Sequence, residues 1–286
     1  MQSDQIGGGT VAAPASRAFR FQIGIHALRS RAAVQEKARR LEDLGFDVLH
    51  LPDHLGAPAP FPALTAIAAA TTTIQLGTYV LNACFYKPAL LARDAAAVDL
   101  LSDGRLELGL GAGYVEEEFE AAELPYPSAG QRVDYLEHVT TYLKQHLPGV
   151  PILIAGNGDR LLRVAARHAD IIGLTGARVA AVADPLAERV EFVRAAAGDR
   201  FDDLELNLAI TAVPIDNSGI PDLSLTRRYA PTLSDDELLA MPAVLSGSPH
   251  DMADTLRAYR ETYGLTSFTV QENHAESFAK VIAELR

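Results

Sequence analysis

The sequence has no tryptophan, only three methionines and a single cysteine in 286 residues. One cysteine cannot build a disulfide framework, which excludes a stapled secreted scaffold and makes a reducing cytoplasm the expected compartment. No apolar run approaches the roughly 18–20 residues that span a bilayer, so no transmembrane helix is expected. Basic residues are short as well: 25 Lys and Arg stand against 37 Asp and Glu, a formal net charge of −12. That field repels nucleic-acid backbones and anionic lipid, which excludes both as expected partners. An anionic cofactor would have to be held by local donors against it. The opening segment, MQSDQIGGGTVAAPASRAFR, lacks the basic start and apolar core of a secretory leader. Small and polar, residues 1–18 read as a disordered arm. Metal-ligand spacing is missing too, with His138, His146 and His250 scattered along the chain.

What is present is a large apolar fraction, 48%, in a chain whose mean hydropathy is near zero. Apolar or β-branched segments start near residues 19, 46, 74, 106, 151, 170, 204 and 267, and helical patterns separate them. Ser30 caps the first helix and Gly45 ends it, while Pro88 suits the first position of another. Pro185–Ala197 and Pro249–Tyr263 also read as helices. Eight βα repeats predict an α/β fold, a (β/α)8 TIM barrel, as one domain over residues 19–286. The long gaps after the fourth and seventh strands predict insertions. The second insertion, Thr211–Leu245, reads as irregular apart from a short helix at Ser234–Ala240.

The stretch Leu76–Gly113, LGTYVLNACFYKPALLARDAAAVDLLSDGRLELGLGAG, is a complete strand–helix–strand unit. Chemistry in parallel α/β sheets lies beyond the carboxyl ends of the strands. That places the expected site near Asn82–Tyr86 and Gly111–Tyr114. Gly109, Gly111 and Gly113 would let a planar ring approach the backbone. They do not open a helix as a dinucleotide fingerprint must. Asp53 and His54 follow the second strand directly, where an imidazole could donate to a ring or act as acid or base; a turn-capping pair is the alternative. Gly156-Asn157-Gly158 joins the fifth strand to a helix, where backbone N–H groups could meet a phosphate. Asp159 competes for those donors if it caps the helix. Arg160 and Arg163 could supply charge. Glu116, Glu117, Glu118, Glu120 and Glu123 read as a solvated helix face.

The segment TYVL…DLLSDGRLELGLGAGY closely resembles strands three and four of the bacterial luciferase-like oxidoreductases, and is most similar to the members that use the deazaflavin coenzyme F420. LPDHLG at Leu51–Gly56 and ILIAGNGDRLLRVAARHADIIGL at Ile152–Leu174 resemble the same family, in the same order. The resemblance implies a TIM barrel, often dimeric, with the cofactor on the carboxyl-end rim. It places a bulge with a cis non-proline peptide at Tyr79–Val80, so that Thr78, Tyr79, Val80 and Asn82 buttress the ring beside Gly111, Ala112 and Gly113. It makes Asp53 and His54 the pair near the reactive ring carbon. Gly156, Asn157 and Gly158 become a phosphate clamp, with Thr175 and Gly176 nearby; Lys87, Arg160 and Arg178 are candidate partners for an anionic tail.

Two features depart from the family pattern. Some deazaflavin dehydrogenases carry a glutamate acid just after the strand-four glycines, where this chain has Tyr114. The link from the Arg132 helix to the fifth strand is also short. The expected function is F420-dependent hydride transfer to or from a small organic substrate, in a homodimer, with His54 as acid/base or ring-stabilising donor and Asp53 as its partner. An FMN-dependent monooxygenase is the first alternative, and a catalytically silent flavin-binding barrel the second.

Overall fold

The computed structural model describes residues 17–176 and 184–286. Residues 1–16, most of the expected arm, and Arg178 lie outside the described residues. The strands are β1 (Arg20–Gly24), β2 (Val48–Leu51), β3 (Gln75–Thr78), β4 (Leu81–Asn82), β5 (Leu106–Gly111), β6 (Ile152–Ala155), β7 (Ile171–Leu174), β8 (Glu205–Ala209) and β9 (Leu265–Gln271). Every pairing between them is parallel, and β1 bonds to both β2 and β9. At the other seam β5 pairs with both β3 and β4, so the sheet closes on itself. The third barrel strand is in two pieces, β3 and β4, and the closed barrel has the eight staves read from the sequence.

The helices lie outside the barrel: α1 (Arg31–Asp43), α2 (Pro60–Ala68), α3 (Pro88–Leu101), α4 (Glu116–Ala121), α5 (Ala129–His146), α6 (Asp159–His168), α7 (Pro185–Ala197), α8 (Ser224–Tyr229), α9 (Asp235–Leu239), α10 (Pro249–Tyr263) and α11 (Ala275–Leu285). Ser30 does cap α1, accepting from Ala33 N at 3.2 Å, and Val34, Ala38 and Leu41 face inward. Ser248 and Asp251 form a capping box on α10, which Gly264 ends in the left-handed conformation (φ 74°). The long connections hold α4 ahead of α5, and α8 and α9 ahead of α10. The segment expected to be irregular before Ser234 contains a helix, α8. Its two turns, SLTRRY, are too short for helical periodicity to register.

The main core lies between the barrel wall and the helices, with Leu49, Ile67, Leu108, Ile154 and Phe278 among its buried members. The barrel interior is different. Branched apolar side chains usually fill it, but here Gln22, His50, Glu107, Asn207, Ser267 and Thr269 are buried there. Asn207 Nδ2 donates to Gln22 Oε1 (3.2 Å), Ser267 Oγ (3.0 Å) and Thr269 Oγ1 (3.0 Å), so this polar layer is cross-bonded. At the amino end, Arg20 bridges Glu107 (2.7 Å) and Glu205 (2.8 Å). Burial alone would raise the Glu107 pKa, but the hydrogen bond from His50 and the Arg20 charge hold it below the ordinary carboxylate range.

Removing Arg20 would leave Glu107 buried beside Glu205 without its cation. Arg20→Ala is therefore expected to cost about 3 kcal/mol of stability. The depressed Glu107 pKa stabilises the fold above the ordinary carboxylate value, and that contribution is lost as pH falls through its folded value. The variant should accordingly unfold at higher pH than the wild type. Urea melts and acid-unfolding midpoints that coincide for the two proteins would refute this.

Candidate functional site

At the seam between β3, β4 and β5, Gly77 lies opposite Glu107 and Leu81 opposite Leu110. That is four steps along one strand against three along the other, the extra residue that defines a bulge. The expected cis peptide, Tyr79–Val80, is present there. Thr78 fills the gap in the ladder: its hydroxyl donates to Gly109 O (2.8 Å) and accepts from Gly109 N (3.0 Å). The Thr78 side chain is therefore fully buried between strands. Tyr79 turns into the barrel, stacked on His50 with ring centroids 5.3 Å apart, and its hydroxyl donates to Asn207 Oδ1 (3.2 Å).

Val80 and Asn82 lie against β5. A Cβ on Gly111 would meet Val80 Cγ2 at 2.7 Å, and one on Gly113 would meet Asn82 Cγ at 2.6 Å. The space that these glycines leave, read from the sequence as room for a ring, is thus filled by the bulge's own side chains. Asn82 Oδ1 also accepts from Cys84 N (3.1 Å), while Asn82 N donates to Asp53 Oδ2 (3.1 Å). The bulge is in this way tied to the exit of β2. Ala112 O lies 3.8 Å from the half-buried Cys84 Sγ. Burial pushes that thiol's pKa up, against a smaller opposing pull from Arg132. Cys84 is therefore held as a thiol.

Asp53 does not face His54. It accepts from Asn82 N and from the Tyr86 hydroxyl, and burial is the main reason that its pKa is raised. The partner of His54 is Glu118, whose Oε1 lies 2.8 Å from Nδ1 and also accepts from Leu55 N (3.2 Å). Glu118 was read as part of a solvated face, yet its side chain is only 15% exposed. With the Glu118 oxygen as acceptor, Nδ1 is the donor, and Nε2 makes no hydrogen bond among the described residues. The one sequence signal for this residue is its place beside Phe119, which is buried on the short helix α4.

Across the mouth, Asp159 does not cap α6. Its carboxylate turns to Arg189 (2.7 Å), which also donates to Asn157 O (3.1 Å). The N-cap of α6 is Gly158, with no side-chain cap, and a Cβ there would touch nothing within 4 Å. The first-turn N–H groups of a ten-residue helix are left uncapped by any side chain, a donor set that fits an anion. The Asn157 side chain is bonded to the Thr175 hydroxyl, which links the exits of β6 and β7. Gly156 (φ 151°) and Gly176 (φ 63°) hold conformations that favour glycine, and Gly176 runs against Ala243. Arg160 is paired with Asp134, and Arg163 lies over the Phe192 ring. Lys87 is exposed. Among the described residues no helix is long and apolar enough to cross a membrane.

Comparison with known proteins places this geometry in context. The family described as luciferase-like monooxygenase matches residues 16–137. An F420-dependent glucose-6-phosphate dehydrogenase of Nocardia farcinica is 32% identical over 228 residues, covering 66% of this chain and 67% of that protein. The protein of the same description from Amycolatopsis mediterranei is 29% identical over 231 residues, 68% of this chain and 69% of the relative. The solved coenzyme F420-dependent tetrahydromethanopterin reductase from Methanopyrus kandleri superposes with a TM-score of 0.72 at 18% identity, over 94% of this chain and 97% of that one. At that identity the structural likeness speaks for the fold.

The two glycine environments predict opposite responses. Gly113→Ala, at φ 73° and against Asn82, is expected to cost about 2 kcal/mol or more. Gly158→Ala should stay within about 0.5 kcal/mol. Equal denaturation midpoints for the two variants would contradict the packing described here.

Proposed function

This chain belongs to the luciferase-like oxidoreductase family, and from that premise we propose that it is a coenzyme F420-dependent oxidoreductase acting on a small organic substrate. When bound, the deazaflavin would supply the ring carbon that gives or takes a hydride. The observation that carries the proposal is the His54–Glu118 pair at the barrel mouth. Glu118 fixes the imidazole by its Nδ1 side and leaves Nε2 to hold or move the proton that accompanies a hydride. Asp53 is a positioning residue in this reading: it joins the β2 exit to Asn82 and so holds the histidine loop against the bulge.

The bulge residues Val80 and Asn82, with Gly111, Ala112 and Gly113, would back the ring. The uncapped start of α6 at Gly156–Gly158, with Thr175 and Gly176 beside it, would hold the phosphate. Glu118 offers a carboxylate where Tyr114 replaces the acid of some relatives. We also propose a homodimer. Leu90 near the start of α3 and Leu100 and Leu101 at its end are 51%, 78% and 60% exposed, apolar positions that a second copy would cover. An FMN-dependent monooxygenase is the competing reading, favoured by the description of the matched family.

Fluorescence titration with F420, and separately with FMN, tests the proposal. Micromolar or tighter F420 binding is expected. With a substrate in hand, Glu118→Gln and His54→Ala should lower kcat by roughly tenfold and a hundredfold, with F420 affinity changed less than about threefold. Binding of FMN alone would move the assignment to the monooxygenase, and binding of neither would leave the fold without this function.

A further inference from the structure

A second recess opens on the carboxyl-end rim, away from His54. It has a volume of about 200 Å³ and lies between the exits of β8 and β9 and the short helix α8, with Thr211, Asp222, Ser224, Arg228, Asn273 and His274 in its lining. Two adjacent arginines on α8 differ in their use. Arg227 is paired with Asp235 and donates to Leu233 O (3.2 Å), whereas no carboxylate among the described residues pairs with Arg228. His274 is 2% exposed, and its Nδ1 has no hydrogen-bond partner. Burial pushes its pKa down to about 4, so the ring is neutral near pH 7. The one carboxylate, Asp222, already accepts from Ser224 N (2.9 Å) and Ser224 Oγ (2.6 Å).

We propose that this recess is a subsite for an oxyanion, a carboxylate or phosphate group, gripped by Arg228 with Asn273 as a neutral donor and His274 among its lining. Planar guanidinium groups suit such anions because two N–H groups can meet two oxygens. A recess of this size is below the roughly 300–1,000 Å³ of whole small-molecule sites, so it takes one end of a ligand. Tyr229, next to Arg228 in the chain, is among the charges that raise the pKa values of Tyr79 and Tyr114, after burial as the main cause. Resting on the function proposed above, the anion belongs either to the substrate or to the tail of the cofactor.

Inorganic phosphate is the first probe, followed by thermal unfolding and by the arginine Nε and imidazole NMR signals. Saturable binding is expected, weakened about tenfold or more in Arg228→Gln. Asp222→Asn keeps an acceptor for Ser224 and removes the repelling charge, so it should bind phosphate more tightly than the wild type. No binding, equal binding by wild type and Arg228→Gln, or weaker binding by Asp222→Asn overturns the subsite. Lower F420 affinity in Arg228→Gln assigns the anion to the cofactor tail. Unchanged F420 affinity with a raised KM for anionic substrates assigns it to the substrate. If the wild type binds phosphate through Arg228 but not F420, the oxyanion site stands and the proposed function falls.

Discussion

The carboxyl-end rim depends on one seam, the place where a single hydroxyl, that of Thr78, stands in for a stretch of strand ladder against Gly109. An inserted residue in a central strand would normally leave N–H and C=O groups unpaired inside the barrel wall, which is costly. Thr78 satisfies both groups of Gly109 with one oxygen. The residues after it are then re-aimed: Tyr79 goes down onto His50, Val80 over Gly111, and Asn82 over Gly113. Glycine at positions 109 and 111 of β5, and at 113 just past its end, follows because residues two apart share a face of the strand. That face meets the bulge.

The polar barrel interior serves the same seam from below. Gly77 has no side chain because a Cβ there would sit 2.6 Å from His50 Cδ2, and Gly173 leaves room near the Tyr79 hydroxyl. His50 and Tyr79 need such space, and their polar atoms need partners once buried. Glu107 supplies one to His50 Nε2 at 3.3 Å and Asn207 one to the Tyr79 hydroxyl at 3.2 Å, while His50 Nδ1 is buried with no partner among the described residues. Glu107 in turn requires Arg20. A line of polar side chains thus runs from an ion pair at the amino end to the floor of the mouth, each member present because the one above it is buried.

The pattern of that barrel was plain in the sequence because its signals are local. Apolar runs, Pro at helix starts and caps such as Ser30 and Ser248 depend on neighbours a few residues away. The eight staves, Pro185–Ala197 and Pro249–Tyr263 were legible on those grounds. The division of the third strand was placed by likeness to a family, since nothing in TYVL by itself forbids a continuous strand. Asp53 and His54 were legible as rim residues, but their partners were not. Glu118 lies 64 positions from His54, and Asn82 lies 29 from Asp53. Pairings of that span are products of barrel closure, and composition leaves no trace of them. The same holds for Asp159, whose turn toward Arg189 uncaps α6 and could not be read from the GNGD order.

Charge sets the last constraint on how such a protein holds an anion. With a net charge of −12, many of its arginines already serve its own carboxylates: Arg20, Arg40, Arg160, Arg189, Arg227, Arg257 and Arg286 all lie in ion pairs. Arg189 is the clearest case, because it stands beside the start of α6 yet is neutralised by Asp159 and Glu188. Among the described residues Arg163 of α6 lies over the Phe192 ring, and what the start of α6 itself presents to a phosphate is backbone N–H. Fixed dipoles of this kind need no reorganisation to meet an anion, although salt screens them at a solvent-exposed helix start as it screens a surface ion pair. The acidic composition and the uncapped, glycine-edged helix start are therefore two sides of one solution. A chain that repels anions over its surface can still accept one where oriented amide groups, rather than net positive charge, do the holding.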